Sequence, residues 1–248
     1  MSASQSFSSG LDHQIEEIDV RALFLVTGSD KYTWMSEVTH PFWHLSERGV
    51  EIDFFTPEGG KIVWDPASDP YSKGSLEPED LVTKGFLSDK SLVAKLGSAG
   101  RLKDADLDRY ELIHIAGGLG AVYDLYPNED VARALEHFWS RNKVIGAICH
   151  GVIALANNPN RIRGLHATGY TLAEDAEVEV RYGFKIPRLP QTTIQEAGID
   201  FEAAQPHQLR VVVDGQLVTG QNQQSASEYG LALYRQVVRS NPLASYGQ

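Results

Sequence analysis

The chain has 248 residues, 42% hydrophobic and 22% charged, with a formal net charge of −11. That is enough for one sizeable core, and the acidic balance argues against a nucleic-acid partner, which needs a basic face. No window approaches the ~20 apolar residues of a membrane span, and a single cysteine rules out an internal disulfide or a Cys-rich metal site.

Residues 1–18 are polar, with a Ser-rich start and no secretory pattern; they are expected to form a loose tail on a cytoplasmic protein. Arg21 to Thr27 reads as a buried strand closed by Gly28. Met35 to Gly49 has helical spacing at Val38, Phe42 and Leu45, with Gly49 as its stop. Val50 to Phe55 is a second strand, ended by Pro57 and Gly59-Gly60. Residues 61–80 are an irregular excursion, and 61–110 together are expected to be an insertion or lid-like segment.

Ser88 to Leu96 predicts a helix and Glu111 to Ala116 a third strand, running into Gly117-Gly118-Leu119-Gly120. A turn at Asp124 to Asn128 precedes a helix over Glu129 to Arg141. Lys143 to Ile148 is the fourth strand, and Gly151 to Ala156 opens another helix. A strand is expected at Ala167 to Thr171, then an acidic stretch from Glu174 to Glu179. Leu209 to Val213 and Leu217 to Thr219 form a hairpin through Asp214-Gly215, and Ser225 to Val238 is a closing amphipathic helix. Strands alternating with helices indicate an α/β domain over 19–248, with a central, mostly parallel sheet flanked by helices on both faces.

Cys149 ends the apolar run Val144-Ile-Gly-Ala-Ile148 and is followed by His150 and Gly151, as a strand-to-helix elbow would present a nucleophile. A lone thiol is also compatible with an inert buried residue. In open α/β sheets a site forms at the C-terminal strand ends. There the N–H groups of Gly118 or Leu119, with that of His150, offer an oxyanion hole, or merely a tight turn. Glu37, early in the first helix, is either favourable to the helix dipole or a carboxyl pressed against the thiol with a raised pKa. His40 and His44 have metal-pair spacing but lack a third ligand, and His114 reads as a hydrogen-bonded core residue. Tyr32, Trp34 and Trp64 either shape a pocket or pack under the loop.

Ala147-Ile-Cys-His-Gly151, Ala116-Gly-Gly-Leu-Gly120, the Glu37 helix with Pro41-Phe42, and Trp64-Asp-Pro66 together resemble the ThiJ/PfpI superfamily, in its glyoxalase-III-like, stress-chaperone branch. The resemblance runs from about Ala22 to Val238. It implies a class I glutamine amidotransferase-like, flavodoxin-like sandwich and a homodimer. It also implies a nucleophilic Cys149, Glu37 sharing a proton with its sulfur, His150 as imidazole partner, and Asp175, or else Glu174, as the acid orienting it. Leu119 stands where the family commonly has histidine. The implied activity is conversion of a 2-oxoaldehyde such as methylglyoxal to a 2-hydroxy acid, without cofactor, metal or glutathione. The alternatives are a cysteine hydrolase or hydratase acting on an amide, peptide, ester or isonitrile, and a stress chaperone or oxidation sensor.

Overall fold

The computed structural model describes residues 20–240, so the expected tail at 1–18 lies outside the described residues. In chain order the strands are β1 (Arg21–Leu25), β2 (Glu51–Thr56), β3 (Gly100–Arg101), β4 (Leu112–Ile115), β5 (Val144–Ile148), β6 (His166–Ala167), β7 (Asp200–Phe201), β8 (Val211–Asp214) and β9 (Leu217–Gly220). The α-helices are α1 (Met35–Ser46), α2 (Leu81–Ser88), α3 (Lys90–Leu96), α4 (Ala121–Asp124), α5 (Glu129–Ser140), α6 (Pro159–Ile162), α7 (Leu172–Tyr182), α8 (Pro190–Glu196) and α9 (Ala226–Ser240).

Seven strands form one sheet in the order β3-β2-β1-β4-β5-β9-β8, parallel except for β8, which pairs antiparallel to β9. The central strands β4 and β5 are buried at every residue, the mark of a parallel sheet covered on both faces. Alternation sorts their side chains. Ala22, Phe24, Leu112, Val144 and Ile148 join one core with residues of α1 and α9, while Leu23, Leu25, Ile113, Ile115, Ile145 and Ala147 join another with α5. The period-2 pleat therefore places helices on both sides of one sheet.

Several expected elements differ in detail. The helix expected at Ser88 to Leu96 is α3, which starts at Lys90 because Asp89 ends α2 and caps α3 by accepting from Ser91 and Leu92 N–H; α2 itself was not read from the sequence. The strand expected over Ala167 to Thr171 stops at Ala167, and Thr171 instead starts α7 through a capping box with Glu174. The acidic stretch thus lies within a helix. After β5 the chain runs as a 3-10 helix from Cys149 to Asn157 rather than an α-helix. Helix α8 and strand β7 were not read from the sequence.

The 61–80 excursion bears on the start of α1. Trp34, at the N-cap, offers no side-chain capping bond; the buried donor is met by Ser68, whose Oγ accepts from Met35 N–H at 3.0 Å. A parallel bridge between Thr33 and Trp64 fixes the same approach. Among the described residues no helix is long and apolar enough to cross a membrane.

Candidate active site

Strand β5 delivers Cys149 to the C-terminal edge of the sheet, where the backbone turns sharply. Ile148 is extended, but Cys149 has φ of 56°. A non-glycine residue in the left-handed region costs about 1–2 kcal/mol, and such strain collects at functional turns. The turn points the thiol toward His150, whose Nδ1 lies 3.3 Å from Sγ. The other ring nitrogen, Nε2, lies 2.9 Å from Oδ1 of Asp175 on α7. A carboxylate only accepts, so with Asp175 ionised the Nε2 nitrogen carries the proton and Nδ1 turns its lone pair to the thiol. The ring of Tyr170 lies over the imidazole, with centroids 4.3 Å apart.

Glu37 approaches from the first turn of α1. Its side chain is buried, and neither carboxyl oxygen has a partner at normal hydrogen-bond geometry. Burial therefore pushes its pKa well above the usual carboxylate range, with the charge of Glu77 adding to the rise; the facing Cys149 thiol and Gly117 N–H offset part of it. Burial also pushes the Cys149 thiol up, and a charge on Glu37 pushes it further. Both shifts favour the protonated forms, a thiol facing a carboxylic acid, and the two interacting sites titrate as a pair. His150 Nδ1 is the nearest ring nitrogen to which this thiol can hand a proton.

Two glycines make this crowding possible. A Cβ on Gly117 would stand 2.5 Å from Glu37 Oε2 and 2.8 Å from Cys149 Cβ, and one on Gly118, at φ of 90°, would meet the Thr33 backbone at 2.5 Å. The Thr33 hydroxyl locks the turn by donating to Gly117 O at 2.8 Å. Among the described residues the N–H groups of Gly118 and Leu119 have no protein acceptor, and the His150 N–H faces the Cys149 sulfur. Backbone donors of this kind can hold an oxyanion.

The two acids beside each other in sequence have separate places. Asp175 reaches His150. Glu174 instead accepts from Thr171 Oγ1, His207 N–H and Asn222 Nδ2 at 2.7 to 2.9 Å, joining α7 to the loops before β8 and after β9. His114 is a core residue, with Nδ1 2.8 Å from the Tyr229 hydroxyl and Nε2 2.9 Å from Glu37 O. His40 pairs with Asp80 and His44 with Ser227.

A cleft of about 180 Å3 opens onto Cys149, lined in part by Trp34, Glu37, Leu119, His150 and Tyr170. Trp34 thus shapes the pocket. Trp64 packs against the core and donates from Nε1 to Asp69. Glu77, also on the wall, was missed by sequence reasoning: its carboxyl accepts from Trp34 Nε1–H at 2.8 Å and Ser36 Oγ–H at 3.1 Å. No local pattern could reveal it, because it lies in the irregular excursion and its partners are 43 and 41 positions away.

The DJ-1/PfpI family matches residues 20–236. Among curated proteins, the bovine and human glutamine amidotransferase-like class 1 domain-containing protein 1 are each 35% identical over 131 residues. That match spans 52% of this chain and 60% of those relatives. Glyoxalase 3 of Candida albicans is 27% identical across 82% of this chain and 88% of that protein. Among solved structures, the Rapid Encystment Protein of Francisella tularensis superposes with TM-score 0.79 at 29% identity, covering 88% of this chain and 99% of that one. Glyoxalase III from Candida albicans superposes with TM-score 0.73 at 20% identity, covering 88% and 97%, a likeness of fold.

Proposed function

The chain belongs to the DJ-1/PfpI family, and on that footing we propose a glutathione-independent glyoxalase that converts a small 2-oxoaldehyde to a 2-hydroxy acid. The observation that carries this reading is His150 set between Cys149 and Asp175, with the buried acid of Glu37 against the same sulfur. The resemblance to Glyoxalase 3 over most of both chains supports it.

In this reaction Cys149 Sγ adds to the aldehyde carbon while its proton passes to His150 Nδ1. The new hemithioacetal oxygen is held by the free N–H groups at Gly118 and Leu119. A proton then leaves the carbon bearing sulfur and, through an enediol, is delivered to the neighbouring carbon, giving a thioester of the 2-hydroxy acid. His150 and Glu37 move it. Water adds to the thioester carbonyl, the C–S bond breaks, and the thiol is restored. The net change is addition of one water, so no redox partner is needed.

The same thiol and free N–H donors suit acyl transfer, which favours a cysteine hydrolase or hydratase as the second reading. Homodimeric assembly and a cytoplasmic setting complete the proposal. The purified protein with methylglyoxal and no added thiol is expected to form lactate, and Cys149→Ala to form none. No product from the wild type, or equal turnover by the variant, would sink the glyoxalase reading. Amide or isonitrile turnover lost in Cys149→Ala would move the assignment to the second.

A further inference from the structure

The cleft has a charge pattern that the reaction chemistry does not use. Besides Glu37, its wall carries the carboxyls of Asp65, Glu77 and Glu177, against Arg181 and His207. His207 Nε2 is paired with Glu177 at 2.7 Å, and Asp65 accepts from the Tyr182 hydroxyl at 2.5 Å. Arg181 is exposed at the end of α7, beside Tyr182. Of the three, Glu77 is the one whose charge acts on Glu37 itself.

Both Glu77 oxygens are held as acceptors, by the Trp34 indole N–H and the Ser36 hydroxyl. The carboxyl is therefore fixed in place at the mouth of α1 and cannot swing away from an incoming group. Burial raises its pKa to about 7, against those two donors; nearby Asp80 adds to the rise and His40 opposes it. At pH 8 it is an anion in a partly desolvated wall, where a charge acts more strongly than in water.

We propose that Glu77 is a specificity-determining residue of this site. Its carboxylate admits uncharged carbonyl compounds to Cys149 and turns carboxylates away. A neutral 2-oxoaldehyde would enter, and the 2-hydroxy acid made from it, an anion, would be driven out. The identity of those two compounds rests on the proposed glyoxalase reaction; the discrimination by charge does not.

Two alkylating reagents of nearly one shape separate charge from everything else: iodoacetamide, which is neutral, and iodoacetate, an anion. Each forms a bond from carbon to the Cys149 sulfur and releases iodide. With one cysteine in 248 residues the labelled site is unambiguous. At pH 8 and low salt, the iodoacetamide-to-iodoacetate rate ratio at Cys149 is expected to exceed that of 2-mercaptoethanol by about tenfold. Glu77→Gln is expected to cut the ratio about fivefold or more by speeding iodoacetate, whereas Glu77→Asp keeps it. A wild-type ratio equal to that of the small thiol overturns the proposal. So does a Glu77→Gln protein slowed equally toward both reagents, a Glu77→Asp protein that behaves like it, or a Cys149 that neither reagent modifies. None of these readings depends on turnover, so failure of the glyoxalase reaction and failure of the charge filter are told apart.

Discussion

Gly117 lies so close to Glu37 that a single methyl group would not fit between them. A Cβ there would sit 2.5 Å from Oε2 of the buried carboxyl, with Cys149 Cβ and Ile148 O each at 2.8 Å. Two of those three atoms belong to packed groups at a sheet edge, and the third is the acid itself. Gly117→Ala is therefore expected to push Glu37 away from the sulfur. Thermal unfolding should show a loss of roughly 1–3 kcal/mol, as for other overpacked cores. Lactate formation should fall by more than tenfold, beyond what that loss of folded protein explains. A variant with wild-type turnover would mean that the contact between Glu37 and the thiol is not needed.

Asp175 and Glu174 offer a comparison between neighbours with different duties. Asp175→Asn keeps the shape but offers His150 an amide, which no longer fixes the proton on Nε2. Turnover is expected to drop by ~10²–10⁴, with only a small change in urea midpoint. Glu174→Gln leaves His150 alone but sets an NH2 group against either the Thr171 donor or the His207 and Asn222 donors, which sit on different oxygens. Its cost is expected in stability, about 1–3 kcal/mol from unsatisfied buried groups. If Glu174→Gln proved the more damaging to turnover at equal folded fraction, the acid would be reassigned.

What could be read from the sequence follows the range of the interactions. Strands β4 and β5 were legible because strands buried on both faces are near-continuous apolar runs, broken in β4 only by His114. The Cys149 elbow was legible for the same reason: a polar, reactive residue closes such a run. Asp175 was reachable only through family resemblance, since its link to His150 spans 25 positions and crosses between elements. Strands β6 and β7 are two residues each and carry no pattern. Helix α7 was hidden by its acids, although Thr171-Leu-Ala-Glu174 spells a capping box that local reading could have used.

Glu37 links the chemistry to a stability cost. Its folded-state pKa stands well above 4.5 because of burial. Above pH 4.5 the unfolded chain releases a proton that the native state keeps, so this group's contribution declines as pH rises toward the folded-state pKa. Glu37→Gln removes that dependence. The variant is expected to form no lactate yet to unfold at a higher temperature than the wild type at pH 8. The gain should shrink at pH 5, and a gain equal at both pH values would contradict the raised pKa.

The same sign applies to Asp124, away from the thiol. Its carboxyl accepts from Thr27 Oγ1–H and Gly28 N–H, both at 2.7 Å, and so pins the loop leaving β1. Those bonds favour the anion, but burial outweighs them and raises the pKa from 3.8 to about 6. Its contribution to stability is complete below about pH 4 and is lost as pH climbs toward about 6. A rise of that size corresponds to at most roughly 3 kcal/mol, less where solvent reaches the carboxyl. Asp124→Asn can keep both contacts, with Oδ1 accepting from Gly28 N–H and Nδ2 donating to the Thr27 hydroxyl. Urea unfolding is expected to find the variant more stable than the wild type at pH 8 by about 1–3 kcal/mol, and by less at pH 5. A variant less stable at pH 8 would show that the anion's hydrogen bonds, not its burial, set the balance at this turn.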